Sequence, residues 1–142
     1  MFKSILVPID IGHESSWSKV VPVATQLAKS DSAELHFINV VPDFGMSIVG
    51  SFFPKGHEEK MIAQAKDELA KIVSGLSLEG IDVHLHVAHG SIYEEVLSAA
   101  EKLKSDLIIV TAHRPELSDY LIGPNAARIV RHANQSVFVV RD

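Results

Sequence analysis

Short apolar runs alternate with longer stretches of helical periodicity along this chain, and this alternation is the strongest constraint on its fold. Five runs predict strands, at residues 3–9, 34–41, 82–88, 106–111 and 136–140. Helices are predicted between them, at 14–29, 58–76, 92–104 and 126–132. Strands that alternate with helices pair in parallel through right-handed crossovers. The pattern therefore predicts an α/β fold built on one doubly wound parallel sheet of five strands.

Two of the predicted strands, 107–110 and 137–140, are apolar throughout. Such runs are typical of parallel strands that helices cover on both faces. Pro22 interrupts the first helical segment, so that segment either kinks there or begins near Lys19, because a helix interior tolerates proline poorly. We find no linker or internal repeat, and the 142 residues predict one domain, 1–142.

The composition excludes several classes of protein. The chain has no cysteine, which excludes a disulfide scaffold, a thiolate metal site and a cysteine nucleophile, and which agrees with a reducing compartment. Its net charge of −5 gives no general attraction for nucleic acid or an anionic membrane. No leader pattern follows Met1, and no stretch reaches about 18 uninterrupted apolar residues. We expect a cytoplasmic protein that binds neither nucleic acid nor membrane.

The carboxyl ends of the predicted strands indicate where a ligand would bind. In a doubly wound sheet the site lies outside these ends, where the strand order reverses. Pro8, Ile9 and Asp10 end the first strand there, and Thr111 and Ala112 end the fourth. Asp10 could accept hydrogen bonds from ribose hydroxyls, help to hold Mg²⁺, or serve as a turn aspartate, and the sequence leaves these alternatives open.

The turn before the last predicted helix is a candidate anion site. Gly123 precedes Pro124, which suits the first position of a helix, and Asn125 and Ala126 follow. Backbone N–H groups at a helix amino terminus attract anions such as phosphate. The alternative is that the turn serves only as a helix cap.

His113 and Arg114 follow the fourth predicted strand. Arg114 could form a bidentate pair with phosphate oxygens, and His113 could hydrogen-bond them. A surface arginine and a loop histidine are the alternative interpretation. Residues 42–55 are rich in Gly, Pro, Ser and Phe and predict a loop, for which a lid, a subunit contact and a simple flap on the core all stay open.

The eight histidines raise the question of a metal site. His84 and His86 are two apart on a predicted strand and point to one face, with His89 nearby. Because no carboxylate or cysteine motif accompanies them, a solvated strand face is favoured and no resident metal is predicted. His36, His57 and His132 have no partner that the sequence identifies.

Five segments, in this order and spacing, resemble the universal stress protein family: 5–10, 35–41, 89–92, 106–110 and 121–133. The stretch from His113 onward is similar to the UspF/UspG branch of that family. The resemblance implies a sheet of strand order 3-2-1-4-5 with helices on both faces, the adenine nucleotide alpha-hydrolase-like fold. It also implies a homodimer paired along the last strand, 136–140.

ATP-binding members of the family carry Gly-x-x-Gly, nine further residues, and then Gly followed by Ser or Thr. The resemblance places these four positions on Val110, His113, Gly123 and Pro124, so only Gly123 is kept. A side chain at His113 narrows the approach to phosphates, and Pro124 has neither a hydroxyl nor an N–H group. Losing one hydrogen bond to a charged group costs about 1.5–3 kcal/mol, which weakens a nucleotide site without abolishing it.

The resemblance implies that the rest of the nucleotide pocket is intact. It assigns Pro8, Ile9 and Asp10 to adenine and ribose, Val40 to the base, and Ser136 and Val137 to the floor of the pocket. The implied ligand is ATP, with ADP and AMP as alternatives, and Mg²⁺ accompanies the nucleotide.

We therefore expect a dimeric, nucleotide-binding stress-response protein with slow or no hydrolysis, because no base for activating water is recognisable. No catalytic residue is predicted. A dimeric interaction protein that binds no nucleotide is the first alternative. A true ATPase that uses Asp10, His113 and Arg114 is the second, so enzymatic activity is left open as at most a slow ATPase.

Overall fold

The computed structural model describes residues 1–42, 56–112 and 124–141. These residues form five strands: β1 (Ser4–Pro8), β2 (Glu34–Pro42), β3 (Val83–Gly90), β4 (Leu107–Thr111) and β5 (Ser136–Val140). All neighbouring strands pair in parallel, in the order β3-β2-β1-β4-β5. The predicted α/β class and strand order are confirmed.

The described helices are α1 (Val20–Asp31), α2 (His57–Ser74), α3 (Ile92–Lys102) and α4 (Pro124–His132). A single 3-10 turn at Glu14–Ser16 replaces the first part of the predicted helix 14–29. Pro22 explains the late start of α1, since in the first turn its missing N–H has no intrahelical partner to lose. None of these helices has the length and hydropathy of a membrane-spanning segment.

Helices cover both faces of the sheet, as predicted. Ile5 and Val7 of β1 point to one face, where they join the apolar side chains of α1 and Leu69 of α2. Leu6 points to the other face and joins Val96 of α3 and the apolar side chains of α4. Because both faces of β1 are packed, all five of its residues are buried, which explains its unbroken apolar run.

The strand order reverses beside β1. The chain moves outward from β1 to β2 and β3, then returns to the other side of β1 with β4 and β5. The carboxyl ends of all five strands lie along one edge of the sheet because the pairing is parallel throughout. A ligand crevice is expected at this edge, next to the reversal.

Candidate functional site

A crevice of about 420 Å³ lies at the carboxyl ends of β1 and β2. This volume falls within the range of about 300–1,000 Å³ that is typical of small-molecule pockets. Most of the lining is apolar. It comprises Pro8–Ile11 and His13 at and after the end of β1, Ile38–Pro42 of β2, Met61, Gln64, Ala65 and Glu68 of α2, and Ile92 of α3. Of the predicted site residues, Pro8, Ile9, Asp10 and Val40 line this crevice.

Asn39 fixes the wall of the crevice that β1 and β2 share. Its side chain is buried, and its Nδ2 donates a hydrogen bond to the carbonyl of Ile9 at 2.9 Å. The N–H of Ile9 in turn donates to the carbonyl of Ile38 at 2.8 Å. Asn39 was missed as a site residue, although a single amide inside the apolar run 35–41 is a visible signal.

Asp10 holds the turn that follows β1. Its Oδ1 accepts a hydrogen bond from the N–H of Gly12 at 3.0 Å, and its Oδ2 accepts one from Nδ1 of His13 at 2.8 Å. The structure therefore shows the turn role that the sequence left open. Each oxygen of the Asp10 carboxylate can accept one further hydrogen bond. A contact of Asp10 with a ligand hydroxyl or with Mg²⁺ therefore stays a prediction.

Ser16 and Thr111 connect this turn to β4. The Ser16 hydroxyl accepts from the N–H of Asp10 at 3.0 Å and donates to its carbonyl at 3.1 Å. Thr111 Oγ1 donates to the carbonyl of Ser16 at 3.2 Å, and both residues are buried. Neither Thr111 nor Ala112 is among the described residues that line the crevice.

The start of α4 contacts α3, and its role in binding an anion stays a prediction. Pro124 is the first residue of the helix, as its fixed φ suggested. The carboxamide of the buried Asn125 turns toward α3, where Oδ1 accepts a hydrogen bond from the N–H of Tyr93 at 3.2 Å. Tyr93 is in the first turn of α3, so Asn125 supplies an acceptor to one of its otherwise unpaired N–H groups. The side chain of Ala126 is in the core.

Ser136 and Val137 lie at the other end of the sheet. The register pairs Ser136 with Leu107, at the amino end of β4, and pairs Val140 with Thr111 at its carboxyl end. The prediction that Ser136 and Val137 form the floor of the pocket is therefore wrong in its placement. His113, Arg114 and Gly123 lie outside the described residues, as does the loop 42–55 beyond Pro42.

The charges of the described lining residues indicate which part of a ligand this crevice would hold. Asp10 and Glu68 are acidic, and His13 is the basic side chain among the described lining residues. Gln64 Nε2 lies 3.4 Å from Glu68 Oε1, at the limit of a hydrogen bond. Apolar walls with acceptors at the rim suit a planar ring that carries hydroxyl groups, whereas a phosphate would be repelled here.

Comparison with known proteins agrees with this architecture. The model of the universal stress protein family matches residues 1–141. Universal stress protein G of Shigella flexneri is 32% identical over 143 residues, which covers 99% of this chain and 100% of that protein.

Two solved structures are similar to this chain in fold. One is a universal stress protein in complex with cAMP, with a TM-score of 0.58, 22% identity, and coverage of 99% of this chain and 97% of that one. The other is the universal stress protein from Archaeoglobus fulgidus in complex with dAMP, with a TM-score of 0.60, 14% identity, and 96% coverage of both chains. At these identities the likeness shows the fold.

Proposed function

Because the chain belongs to the universal stress protein family, we propose that its crevice binds an adenine nucleotide, with ATP as the ligand and ADP or AMP as the alternatives. The observation that carries this proposal is the apolar crevice at the reversal of the strand order, lined by Pro8–Asp10 and Val40. Two solved members of the fold contain cAMP and dAMP, which supports an adenylate as the ligand class.

In this proposal the base and the ribose occupy the described crevice. The purine ring packs between the aliphatic side chains of Val40, Met61 and Ile92. The ribose hydroxyls donate to Asp10, whose backbone and side chain are already fixed by Ser16 and His13. A rigid acceptor of this kind loses little entropy when the ligand binds.

In this proposal the phosphates extend toward the start of α4, and the pairing of Arg114 with phosphate oxygens stays a prediction from the sequence. α4 is a nine-residue helix, and the N–H groups of its first turn carry partial positive charge. Mg²⁺ would arrive with the nucleotide, and Asp10 is the carboxylate at this edge of the sheet that would hold it, directly or through water. Its oxygens suit a hard cation.

Hydrolysis by such a site is slow or absent. Asp10 and His13 are hydrogen-bonded to each other at 2.8 Å and together stabilise the turn after β1. A general base must reach the proton of the attacking water, and both groups are engaged in local structure here. We therefore propose a binding protein, at most a slow ATPase, in which the nucleotide biases the dimer or loop 42–55.

We also propose that the chain acts as one domain, in the cytoplasm, and pairs with a second copy along β5. This strand is an edge of the sheet, and Phe138 on it is 43% exposed. An edge strand with unpaired N–H and C=O groups is a ready template for another chain.

A nucleotide-independent interaction protein is the second candidate. The start of α4 favours it, because Pro124 offers no N–H group and the carboxamide oxygen of Asn125 is bonded to Tyr93. The two candidates share the dimer and differ only in the ligand.

Ligand-induced melting shifts test the nucleotide proposal. ATP–Mg²⁺ at 100 times its Kd should stabilise the protein by about 2.7 kcal/mol, which raises Tm by several degrees. Met61→Trp should remove this shift because the indole fills the crevice. Lys71→Trp, on an exposed position of the same helix, is the matched control and should keep it. No shift at millimolar ATP–Mg²⁺ would favour the nucleotide-independent candidate, whereas an equal shift in Met61→Trp would show that ATP binds outside this crevice.

Sedimentation tests the dimer. Phe138→Asp places a charge on β5 and should convert the dimer to a monomer of unchanged secondary structure. Leu85→Asp is the matched control, because Leu85 is 39% exposed on β3, the opposite edge of the sheet. A wild-type monomer, or a dimer that is lost only in Leu85→Asp, contradicts pairing through β5.

A further inference from the structure

A cluster of polar side chains occupies one face of β2 and β3 at their amino ends. The register pairs His36 with His84 and Leu35 with Val83, which sets Glu34 beside Asp82 one step earlier. Residues two apart on a strand point to the same face, so His86 joins the cluster. The cluster thus comprises Glu34, His36, Asp82, His84 and His86, gathered by strand pairing from segments about 50 residues apart.

His36 is the buried centre of this cluster. Its side chain is 6% exposed, and its Nε2 lies 3.1 Å from Oε2 of Glu34. Since a carboxylate only accepts, His36 Nε2 carries a proton and donates it to Glu34. Nδ1 of His36 lies 2.9 Å from Nε2 of His86, and these two ring nitrogens share a hydrogen bond. Burial is the main cause that lowers the pKa of His86, and the nearby His36 and His84 rings add to it.

His84 presents a ring nitrogen that is poorly satisfied. Its ring stacks on that of His36, with centroids 4.8 Å apart and planes at 19°. Its Nε2 is shielded from solvent and lies 3.1 Å from Oδ1 of Asp82, yet it makes no hydrogen bond of acceptable direction among the described residues. A buried polar atom in this condition costs about 1–3 kcal/mol, and a ligand that accepts its lone pair would offset that cost.

The donor atoms have the spacing that a metal ion needs. The ligand atoms of Glu34, Asp82 and His84 all lie within 4.8 Å of one another. Bonds of about 2.0–2.2 Å to a tetrahedral ion require ligand atoms roughly 3.4 Å apart. Asp82 can close the difference, because its side chain is 66% exposed and has room to turn, whereas Glu34 is already oriented by His36.

We propose that Glu34, Asp82 and His84 bind a divalent first-row transition-metal ion, for which Zn²⁺ is the probe. Imidazole nitrogen together with carboxylate oxygen suits Zn²⁺, whereas Mg²⁺ and Ca²⁺ prefer oxygen alone. Three protein ligands leave the fourth position for water. His36 is a positioning residue: its hydrogen bond orients Glu34, in the manner of the outer-shell partners of metal sites.

An ion can reach this site from solvent. Glu34 and Asp82 also line a polar cleft at the amino edge of the sheet, together with Lys29, Glu79 and Gly80. The bound ion would join β2 to the edge strand β3, and would neutralise two carboxylates that otherwise repel each other. The site is independent of the nucleotide crevice, because about six residues of extended strand, roughly 20 Å, separate Glu34 from Val40.

Calorimetric titration with Zn²⁺ tests the proposal on the full chain. The wild type should bind one equivalent, and His84→Gln and Asp82→Asn should each reduce the affinity at least tenfold. His36→Gln should weaken binding about 10–100-fold without removing a ligand atom, as expected of an outer-shell residue. Glu58→Gln is the matched control: it removes the carboxylate 2.7 Å from Nδ1 of His89, a second histidine–carboxylate pair, and should leave binding unchanged.

A second measurement distinguishes the loss of Zn²⁺ binding from misfolding of a variant. Zn²⁺ at 100 times its Kd should raise the Tm of the wild type and of Glu58→Gln by several degrees, and of His84→Gln by much less. Circular dichroism of the metal-free variants should match the wild type, since His84 is partly exposed. Absence of saturable binding to the wild type, or equal Zn²⁺ affinity in His84→Gln and Asp82→Asn, overturns the proposal.

Discussion

The two ends of β2 use polar groups in opposite ways. At the carboxyl end, Asp10 bonds to Gly12 and His13, within three residues of itself, and Asn39 bonds to the adjacent strand. At the amino end, the polar side chains of β2 meet those of β3 across about 50 residues of sequence. The carboxyl end is a crevice because of the strand order, whereas the amino end is a polar cluster because of the strand register.

Two other carboxylates form hydrogen bonds at the amino ends of the strands. Asp31 accepts a hydrogen bond from the N–H of Phe2 at 2.7 Å. Asp106 accepts from the N–H groups of Lys3 and Ser4, at 2.9 Å and 3.2 Å. These bonds tie the start of β1 to the end of α1 and the start of β4. We therefore expect the amino ends of the strands to respond to acid and to metal ions. The carboxyl ends should respond to neutral and anionic ligands.

The largest expected effect is a loss of stability when a buried side chain of β2 is truncated. Leu35 on β2 is fully buried, so Leu35→Ala should lower the free energy of unfolding by about 2–5 kcal/mol. Leu85→Ala, the same change at a half-exposed position of β3, should cost less than about 1 kcal/mol. Urea unfolding measures both, and similar losses would contradict the assigned core.

Asn39→Ala tests whether the two ends of β2 bind their ligands independently of each other. The loss of its hydrogen bond to Ile9 leaves a buried carbonyl unpaired and should cost about 1–3 kcal/mol of unfolding free energy. Nucleotide affinity should fall because Ile9 lines the crevice, while Zn²⁺ affinity should stay unchanged. His84→Gln should give the reverse pattern. Parallel loss of both affinities in either variant would show that the ends are coupled.

Glu68→Gln tests how the negative charge of the crevice affects the affinity for ATP. Removing a carboxylate from the crevice wall should raise the affinity for ATP by about 0.5–1 kcal/mol, two- to fivefold. Adenosine has no charge, so its affinity should not change. The gain should shrink at high salt because exposed charges are screened. An equal gain for adenosine would point to a steric effect instead.

The smallest effect is expected at Asp31. The backbone N–H of Phe2 is the main cause that lowers the pKa of this carboxyl below its ordinary value of 3.8. Its stabilisation is therefore fully present above that value, and is lost as the pH falls through the lower folded-state pKa. Asp31→Asn should unfold with a shallower dependence on pH below 3.8 than the wild type, and the exposed Asp67→Asn should match the wild type. Equal acid slopes for wild type and Asp31→Asn would contradict this.

Much of the crevice follows from patterns within short segments. The apolar run that ends at Pro8 identifies β1 and places Ile9 and Asp10 at its carboxyl end, where both line the crevice. Met61 and Ala65 belong to the apolar stripe of α2 and lie in the lining, yet a stripe alone does not distinguish core from pocket. Ser136 was misplaced because family position, rather than register, assigned it to the pocket.

By itself, the sequence determined the strands, the helices and their alternation, and hence the parallel sheet and the end of the sheet where the crevice lies. Those properties follow from periodicity and crossover handedness, which act over a few turns or one βαβ unit. Only the tertiary structure decided which side chains meet across strands. Asp82 stands only two residues before His84 in the sequence, but the third ligand, Glu34, comes from a distant segment that the pairing of β2 with β3 brings alongside. Register depends on the hydrophobic patterns of both paired strands and on which face of each is buried, so the residues around His84 alone do not show what lies opposite it.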